Sequence, residues 1–421
     1  MRKNAVFVFV LLFFCLTLPY HRAEAGDEPV NISGSTIWGD TDKKITYIEG
    51  NVRISQGKTK LTTKKAEINL DQKTAILNQG VQLTNPDVII KAESLEYNFK
   101  KKTGIFKNKV TLQQVEAKSS AGEPKKNDPF KLTAGEVYFE SENKSFTAKD
   151  NAVVDSKDFS GSADVIEYHD KEQQLLFNGK ASFNRNTAKS TQNNNGQDPF
   201  TLTADRIEFK TDIKNFTAKD NAAIKNKDFA GTADTIDYND KEQQLMFTGN
   251  VRIVQGTTVI TTEEAVINLD KKLLLFEKHV KSSSDDVSIE AGGLEYDYNK
   301  KTGTFRKNVV LNRNGVKADQ KKTAQDPFKL TADELYFETD TRNFTAKHNG
   351  ILEHKDFNGG GDVIEYNDKL QQLTFEDNAY LNRPQGEEIK GSLISIDLRD
   401  KNLKIHNNGA VNIQINDDSE N

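Results

Sequence analysis

The sequence contains few of the residues that usually cross-link or activate a compact enzyme. Its 421 residues include one cysteine, one tryptophan, two methionines and eight prolines, and only 35% of them are hydrophobic. Because Cys15 lies in the N-terminal segment described next, the rest of the chain excludes disulfides, thiolate catalysis and cysteine-based metal sites. A compact α/β enzyme is disfavoured too, since its buried strands would read as continuous apolar runs.

The first 25 residues differ from the rest of the chain. Arg2 and Lys3 precede an unbroken apolar run over residues 5–16, and Ala23 and Ala25 supply a small-x-small cleavage pattern. This arrangement predicts a signal peptide over residues 1–25, cleaved near Ala25. The apolar run is too short, and too closely followed by the cleavage pattern, for a spanning helix. The alternative is a retained N-terminal anchor.

Charge is abundant but of mixed sign. The chain has 58 basic and 63 acidic side chains, which gives a net charge of −5. No basic stripe indicates a nucleic-acid partner, and no second apolar segment reaches membrane length. Disorder is disfavoured because 24 phenylalanines and 11 tyrosines are spread along the chain. At this length we expect several domains or an elongated array of repeats.

The sequence repeats at two length scales. The pattern Asp-Pro-Phe-x-Leu-Thr-Ala occurs at 128–134, 198–204 and 326–332, and a block covering about residues 50–185 is duplicated as 249–383. Inside these blocks, a smaller unit recurs about a dozen times at a spacing of ~25–35 residues. Each smaller unit consists of two alternating segments separated by a polar turn.

The repeats define a predicted domain division. After the signal peptide we expect three related modules, over residues 26–127, 128–248 and 249–421, the last of which includes the C-terminal end strands. Three stretches rich in Lys, Asn, Gln, Ser and Gly interrupt the pattern, at 113–127, 184–197 and 312–325. These stretches are predicted to be solvated loops at the module boundaries.

Apolar and polar residues alternate strictly inside each segment. Phe146, Ala148 and Val154 share one face, a period of two that predicts a strand with one buried face. The phase slips by one residue between Ala134 and Val137, which predicts a bulge or corner that carries the strand into a facing sheet. The predicted fold class is all-β: an elongated β-jelly roll of two facing antiparallel sheets, built from about a dozen repeated strand-pair units.

No motif predicts catalysis, so we expect no enzyme activity, no catalytic residue, no metal and no cofactor. Carboxylates recur at the same place in the units: Glu67, Glu93, Asp164, Asp205, Asp234, Glu264, Asp333 and Asp362. A catalytic pair is needed only once, so recurrence at the structural period favours a structural role, such as a hydrogen bond at the corner. Calcium on stacked aspartates is the alternative.

Phenylalanine recurs near the start of the second strand of many units. The nine positions are Phe106, Phe146, Phe177, Phe216, Phe247, Phe276, Phe305, Phe344 and Phe375. These side chains either pack the two sheets together or line a lengthwise apolar groove that binds acyl chains. Periodicity alone does not separate the two interpretations.

The chain resembles a known family in particular segments. Gly-Asn-Val-Arg-Ile-x-Gln-Gly occurs at 50–57 and 249–256, and Leu-Thr-Thr-Lys-Lys-Ala-Glu-Ile-Asn-Leu-Asp occurs at 61–71. These motifs, after a signal peptide, resemble the OstA-like family that includes LptA, with an expanded number of repeats here. The resemblance extends by repetition to about Ile415.

The resemblance implies a non-enzymatic periplasmic protein that carries lipopolysaccharide by its acyl chains in an apolar groove, with the nine phenylalanines as lining. It also implies edge-strand pairing with the jelly-roll domains of inner-membrane and outer-membrane transport components, and end-to-end self-association. The alternative function is an exported structural repeat scaffold or adhesin with a closed core. A carbohydrate-active β-helix would need a single cluster of carboxylates and basic residues, which the sequence does not display.

Overall fold

The computed structural model describes residues 31–413, apart from 87, 115–129, 141, 142, 144, 187–198, 316–325, 385, 401 and 407–409. The predicted signal peptide and most of each predicted polar loop therefore lie outside the described residues. The chain divides into two compact units, Met1–Lys227 and Asp228–Asn421. The division into three modules concerns sequence repeats rather than compactness, and it stays a prediction.

Both units are built from strands about a dozen residues long. Unit 1 contains β1 (Asn31–Ser33), β2 (Thr36–Asp40), β3 (Ile45–Gln56), β4 (Thr59–Asn69), β5 (Thr74–Thr84), β6 (Val88–Asn98), β7 (Thr103–Gln114), β8 (Phe130–Glu140), β9 (Ser145–Ser156), β10 (Phe159–His169), β11 (Gln174–Arg185), β12 (Phe200–Lys210) and β13 (Asn215–Lys225).

Unit 2 repeats this plan. It contains β14 (Ala230–Asn239), β15 (Gln244–Gln255), β16 (Thr258–Asn268), β17 (Leu273–Ser283), β18 (Val287–Asp297), β19 (Thr302–Arg313), β20 (Phe328–Glu338), β21 (Phe344–His354), β22 (Phe357–Asn367), β23 (Gln372–Asn382), β24 (Glu387–Asp397), β25 (Leu403–His406) and β26 (Ala410–Ile413). In the described part of the chain, no helix is long and apolar enough to cross a membrane.

Each long strand pairs antiparallel with the next strand in sequence. This holds from β3 to β13 in unit 1. It also holds from β14 to β24 in unit 2. The end strands are short: β1 and β2 each pair with one half of β3, and β25 and β26 each pair with one half of β24.

Every pair of long strands shifts register at its middle. The cause is a corner in each long odd-numbered strand, formed by two consecutive residues in the left-handed backbone region. In β9 the corner consists of Asp150 (φ 62°) and Asn151 (φ 57°), two consecutive residues in the left-handed region. Gly, Asn and Asp tolerate this region best, which is why they recur there. The phase slip read between Ala134 and Val137 coincides with a register shift in β8, so the predicted corner is confirmed.

The corner places the two halves of each strand in two facing layers. In odd-numbered strands, the residues before the corner form layer B and those after it form layer A; even-numbered strands have the reverse order. The layers face each other, because a Cβ on Gly161 of layer A would lie 2.6 Å from Cε1 of Phe177 in layer B. Gly231 and Phe247 repeat this contact in unit 2 at 2.7 Å. The predicted fold class, an all-β jelly roll of facing antiparallel sheets, is confirmed.

The core lies between the two layers of each unit. On the predicted inner face of β9, Phe146, Ala148 and Val154 are 2%, 0% and 1% exposed. Burying one such aromatic or branched side chain stabilises the fold by roughly 1.5–3 kcal/mol. The alternating pattern therefore supplies a continuous, one-residue-deep apolar face on each layer.

We predict that Gly161→Ala destabilises the protein by about 1–3 kcal/mol, because its methyl group would overlap the Phe177 ring of the facing layer. Urea denaturation of the full chain measures the effect. Gly39→Ala is the matched control, because Gly39 is exposed in β2 and its nearest neighbour would be a carbonyl oxygen of Ile45 at 3.8 Å. Equal losses in the two variants would contradict the facing contact.

Candidate functional site

The nine predicted phenylalanines lie in layer B, one in each odd-numbered strand from β7 to β23. All are buried, with at most 7% of the side chain exposed. Their distance from the corner separates them into two rows. The corner row lies two residues before the corner and consists of Phe106, Phe177, Phe247, Phe276, Phe305 and Phe375. The turn row lies four residues before it and consists of Phe146, Phe216 and Phe344.

Aromatic contacts connect the two layers around these rows. In unit 1, the turn-row ring of Phe216 lies 5.6 Å from Phe200 and 5.9 Å from Phe183, both in layer A. In unit 2, Phe344 lies 6.1 Å from Phe328 of layer A. Each such pair adds about 0.5–1.5 kcal/mol beyond its buried area. At these places the interior is filled by rings from both layers.

The interior of unit 2 also contains a cavity of about 480 Å³. Phe305 of the corner row and Phe344 of the turn row both contribute to its wall. The other apolar lining residues are Ile260, Val287, Ile289, Leu294, Tyr296, Leu311 and Phe337. This volume falls within the ~300–1,000 Å³ range of pockets that bind small molecules. Sequence reasoning did not single out these seven residues, since they alternate in the same way as any core residue.

One small residue adds to the space here. Ser282 lines the cavity from β17 and pairs with Ile289 of β18. At the same place in the duplicated block stands Leu83, which pairs with Ile90 and is 5% exposed. Because a serine side chain is smaller than leucine, Ser282 leaves room in unit 2 that the Leu83 side chain occupies in unit 1.

Charged residues surround the mouth of the cavity, on the side opposite the corners, where each layer ends in turns. Arg342, in the turn after β20, donates a hydrogen bond to Asp286, in the turn after β17. Nε of Arg313 lies 3.7 Å from Oδ2 of Asp286, and Nη2 of Arg313 donates to Oδ1 of Asp368 at 2.6 Å. We call these four residues the mouth network.

Burial makes the mouth network different from a surface ion pair. The Arg313 side chain is 4% exposed, and its guanidinium lies 4.9 Å from the ring centroid of Tyr366. Burial raises the pKa of Tyr366, so this phenol stays protonated and donates to Asp368 at 3.1 Å. Burial opposes the charge of Arg342, but its hydrogen bond to Asp286 together with the electrostatic attraction of Asp286 and Asp368 raises the Arg342 pKa. Arg342 therefore stays cationic at neutral pH.

Ion pairs also join turns of the two layers elsewhere. In unit 1, Nζ of Lys214 lies 2.9 Å from Oδ2 of Asp158. In unit 2, Nζ of Lys272 lies 3.8 Å from Oδ2 of Asp228. Partly exposed pairs of this kind contribute about 0–1 kcal/mol each. Continuous chain joins the layers at the corners, whereas side-chain contacts join them at the turns.

The recurring carboxylates take part in corner hydrogen bonds. Asp205, Asp234, Asp333 and Asp362 accept from the side-chain amides of Asn221, Asn250, Asn349 and Asn378, respectively, at 2.8–3.2 Å. Each asparagine is the second left-handed residue of a corner. The expected structural role of these aspartates is therefore confirmed at four corners.

One group in the described part of the chain has metal-binding geometry. Asp326, His354 and Asp356 offer ligand atoms within 4.8 Å of one another. Lys355 Nζ already lies 2.8 Å from Asp326, and the backbone N–H of Asp356 donates to Nδ1 of His354 at 3.2 Å. These contacts account for the grouping without a metal.

Two facing layers, a corner in every long strand and an apolar interior define a repetitive β-jelly-roll protein. A family model described as LptA/(LptD N-terminal domain) LPS transport protein matches residues 31–215, 232–287 and 288–402. The chain belongs to this family, which confirms the resemblance read from the sequence.

The comparison with solved structures found several similar chains. One of them is LptH from Pseudomonas aeruginosa, described as the LptA-homologous periplasmic component of the conserved lipopolysaccharide transport device. The identity is 16% and the TM-score 0.19, and the match covers 40% of this chain and 88% of LptH. No curated protein matches the chain.

We predict that Asn378→Ala destabilises the protein by about 1–2 kcal/mol, because alanine disfavours the left-handed backbone and loses the hydrogen bond to Asp362. Asn378→Gly is the control that keeps the backbone conformation accessible and removes only the hydrogen bond. Thermal denaturation should rank wild type above the glycine variant and the glycine variant above the alanine variant. A glycine variant as unstable as the alanine variant would contradict a backbone role.

Proposed function

We propose that this protein is a non-enzymatic periplasmic lipid conduit, which binds the acyl chains of lipopolysaccharide between its two layers and bridges inner-membrane and outer-membrane export components. The family match over most of the chain is the observation that carries the proposal. LptH, to which the chain is similar, is itself described as a periplasmic component of lipopolysaccharide transport. A family of transport proteins favours carriage of a lipid over chemistry on it.

The interior is the proposed path of the acyl chains. Strict alternation commits one face of every long strand to apolar residues, and the two rows of phenylalanines lie on that face. The layers are joined by chain at the corners and by side chains at the turns. We therefore propose that the turn side opens to admit acyl chains, while the corners act as the hinge.

The proposed partners pair with the edges of the jelly roll. Among the described residues, β1 and β2 pair with β3 alone. On β2, Ile37 is 53% exposed and Trp38 is 43% exposed, and the Trp38 ring stacks on Tyr47 at 5.4 Å. An edge strand with exposed apolar residues favours pairing with a strand of another jelly roll. The same edges would serve end-to-end self-association.

One observation favours the second candidate function, an exported repeat scaffold or adhesin with a closed core. The nine phenylalanines are buried and pack the layers together. A scaffold would keep its interior shut and bind no lipid, whereas a conduit must bring these rings into contact with acyl chains. Whether inner-face residues contact lipid in cells therefore distinguishes the conduit from the scaffold.

We predict that a photoreactive phenylalanine analogue at Phe216 or Phe344 forms cross-links to lipopolysaccharide in cells. The matched controls are Thr217 and Thr345, the next residues on the same strands, whose side chains point to the opposite face of the strand. Immunoblotting of the purified adducts for lipopolysaccharide measures the outcome. Equal cross-linking from both faces, or none from the inner face, would favour the scaffold.

We predict that Ile37→Asp weakens binding to the jelly-roll domain of the inner-membrane transport component by roughly tenfold or more, because a charge would be buried at the strand interface. Ile213→Asp is the matched control, since Ile213 is 54% exposed in the same unit but lies in the turn after β12. Biolayer interferometry with the purified domain measures both. Unchanged binding by Ile37→Asp would rule out this edge as the docking site.

A further inference from the structure

The cavity of unit 2 has a lining residue, Ser282, that differs from its counterpart Leu83 in the duplicated block. We infer that it binds one acyl chain of an anionic amphiphile, and that the Arg342–Asp286 pair is a latch over its mouth. The inference rests on the proposed function and deepens it, since it assigns one loading site and one headgroup charge. Its basis is the shape and lining of the cavity, the layout of the mouth network and the substitution at Ser282.

The walls of the cavity favour a long apolar ligand. Its inner part is lined by Phe305, Leu294, Leu311 and Phe337, and polar side chains are concentrated where the turns meet. Water gains few hydrogen bonds against such walls, so an acyl chain that displaces it is stabilised by about 25 cal/mol per Å² of apolar surface buried. A compact polar ligand would leave its own hydrogen-bonding groups unpaired there.

The mouth network favours an anionic headgroup. The Arg342 side chain is 44% exposed, whereas Asp286 is 13% exposed and lies 3.7 Å from Arg313 as well. When Arg342 turns outward, Asp286 therefore keeps a cationic neighbour. Arg342 is then able to bind a phosphate or carboxylate with two parallel hydrogen bonds. A neutral headgroup would offer no such replacement for Asp286.

The latch lies where the two layers are held by side chains alone. Arg342 belongs to a layer B turn and Asp286 to a layer A turn, so their contact spans the gap between the layers beside the cavity. Breaking this pair removes one of the ion pairs that join the two layers at the mouth, where Arg313 and Asp368 form another, and it does so without moving a corner. When the anionic headgroup replaces Asp286 as the partner of Arg342, headgroup binding would therefore be coupled to opening of the mouth.

The first test uses the residue found in the duplicated block. The full exported chain is titrated with a saturated long-chain fatty acid and, separately, with purified lipopolysaccharide. Ser282→Leu should narrow the cavity with the side chain that stands at this place in unit 1, and so weaken binding of both probes roughly tenfold or more without lowering the thermal midpoint. Ser283→Leu, on the exposed face of the same strand, should bind as wild type does. Wild-type affinity in Ser282→Leu would overturn the inference.

The second test addresses the latch. In a Cys15→Ser background, Asp286→Cys and Arg342→Cys are combined and joined by a short bis-maleimide reagent. The cross-linked protein should take up the fatty acid at least about tenfold more slowly than the same variant before cross-linking. The control joins Asp158→Cys to Lys214→Cys across the layers of unit 1, and it should leave uptake by the unit 2 cavity unchanged. Equal uptake before and after cross-linking at 286 and 342 would overturn the latch.

The third test addresses headgroup charge. Arg342→Gln should weaken binding of the fatty acid but not of the fatty alcohol of equal length, and equal weakening of both would overturn the assigned charge. The two probes also separate this inference from the proposed function. If the fatty acid binds in a Ser282-dependent way and lipopolysaccharide does not, the proposed function fails and the cavity assignment stands. If neither probe binds the wild type, both fail.

Discussion

The structure depends on a pair of left-handed residues in the middle of every long odd-numbered strand, from β3 to β23. Without that pair, a strand of alternating residues would continue in one flat sheet with its apolar face uncovered. With it, each strand supplies one half to each of two layers, and the apolar faces meet. Because all corners lie on one side of a unit, the chain itself joins the layers there, and only side chains join them on the other side. The location of the cavity mouth follows from this asymmetry.

The fold was predictable because two of its causes are local in sequence. The period of two fixes which residues face inward, and the phase slip after Ala134 marks the corner without any three-dimensional information. The depth of a residue in the interior is not fixed by that period. Phe344 and Phe247 therefore read as one set, although they lie four and two residues before their corners. Phe344 contacts Phe328 of the facing layer, whereas Phe247 lies against Gly231.

The candidate site was predictable only in part, because its parts come together across layers. Arg313 continues the inward alternation of Val309 and Leu311, which marks it as a cation on an apolar face. Its partner Asp368 is 55 residues away in the sequence. The two residues meet because of the way the two layers pack against each other, which the period of two does not predict. Ser282 differs visibly from Leu83 in the duplicated block, but the size of the resulting space depends on the neighbouring strands.

Sequential pairing has a consequence for how such a chain changes in length. Since each long strand contacts its immediate neighbours, stability accumulates nearly rung by rung, as in other repeat proteins. Odd- and even-numbered long strands are not interchangeable, however. The odd-numbered ones carry the left-handed pair and run from layer B to layer A, whereas the even-numbered ones run from layer A to layer B. The duplicated block runs from β3 to β11 and its copy from β15 to β23, so odd strands were copied onto odd strands. Loss of a single strand would exchange this parity for every strand that follows, which makes two strands the smallest step by which this fold lengthens or shortens.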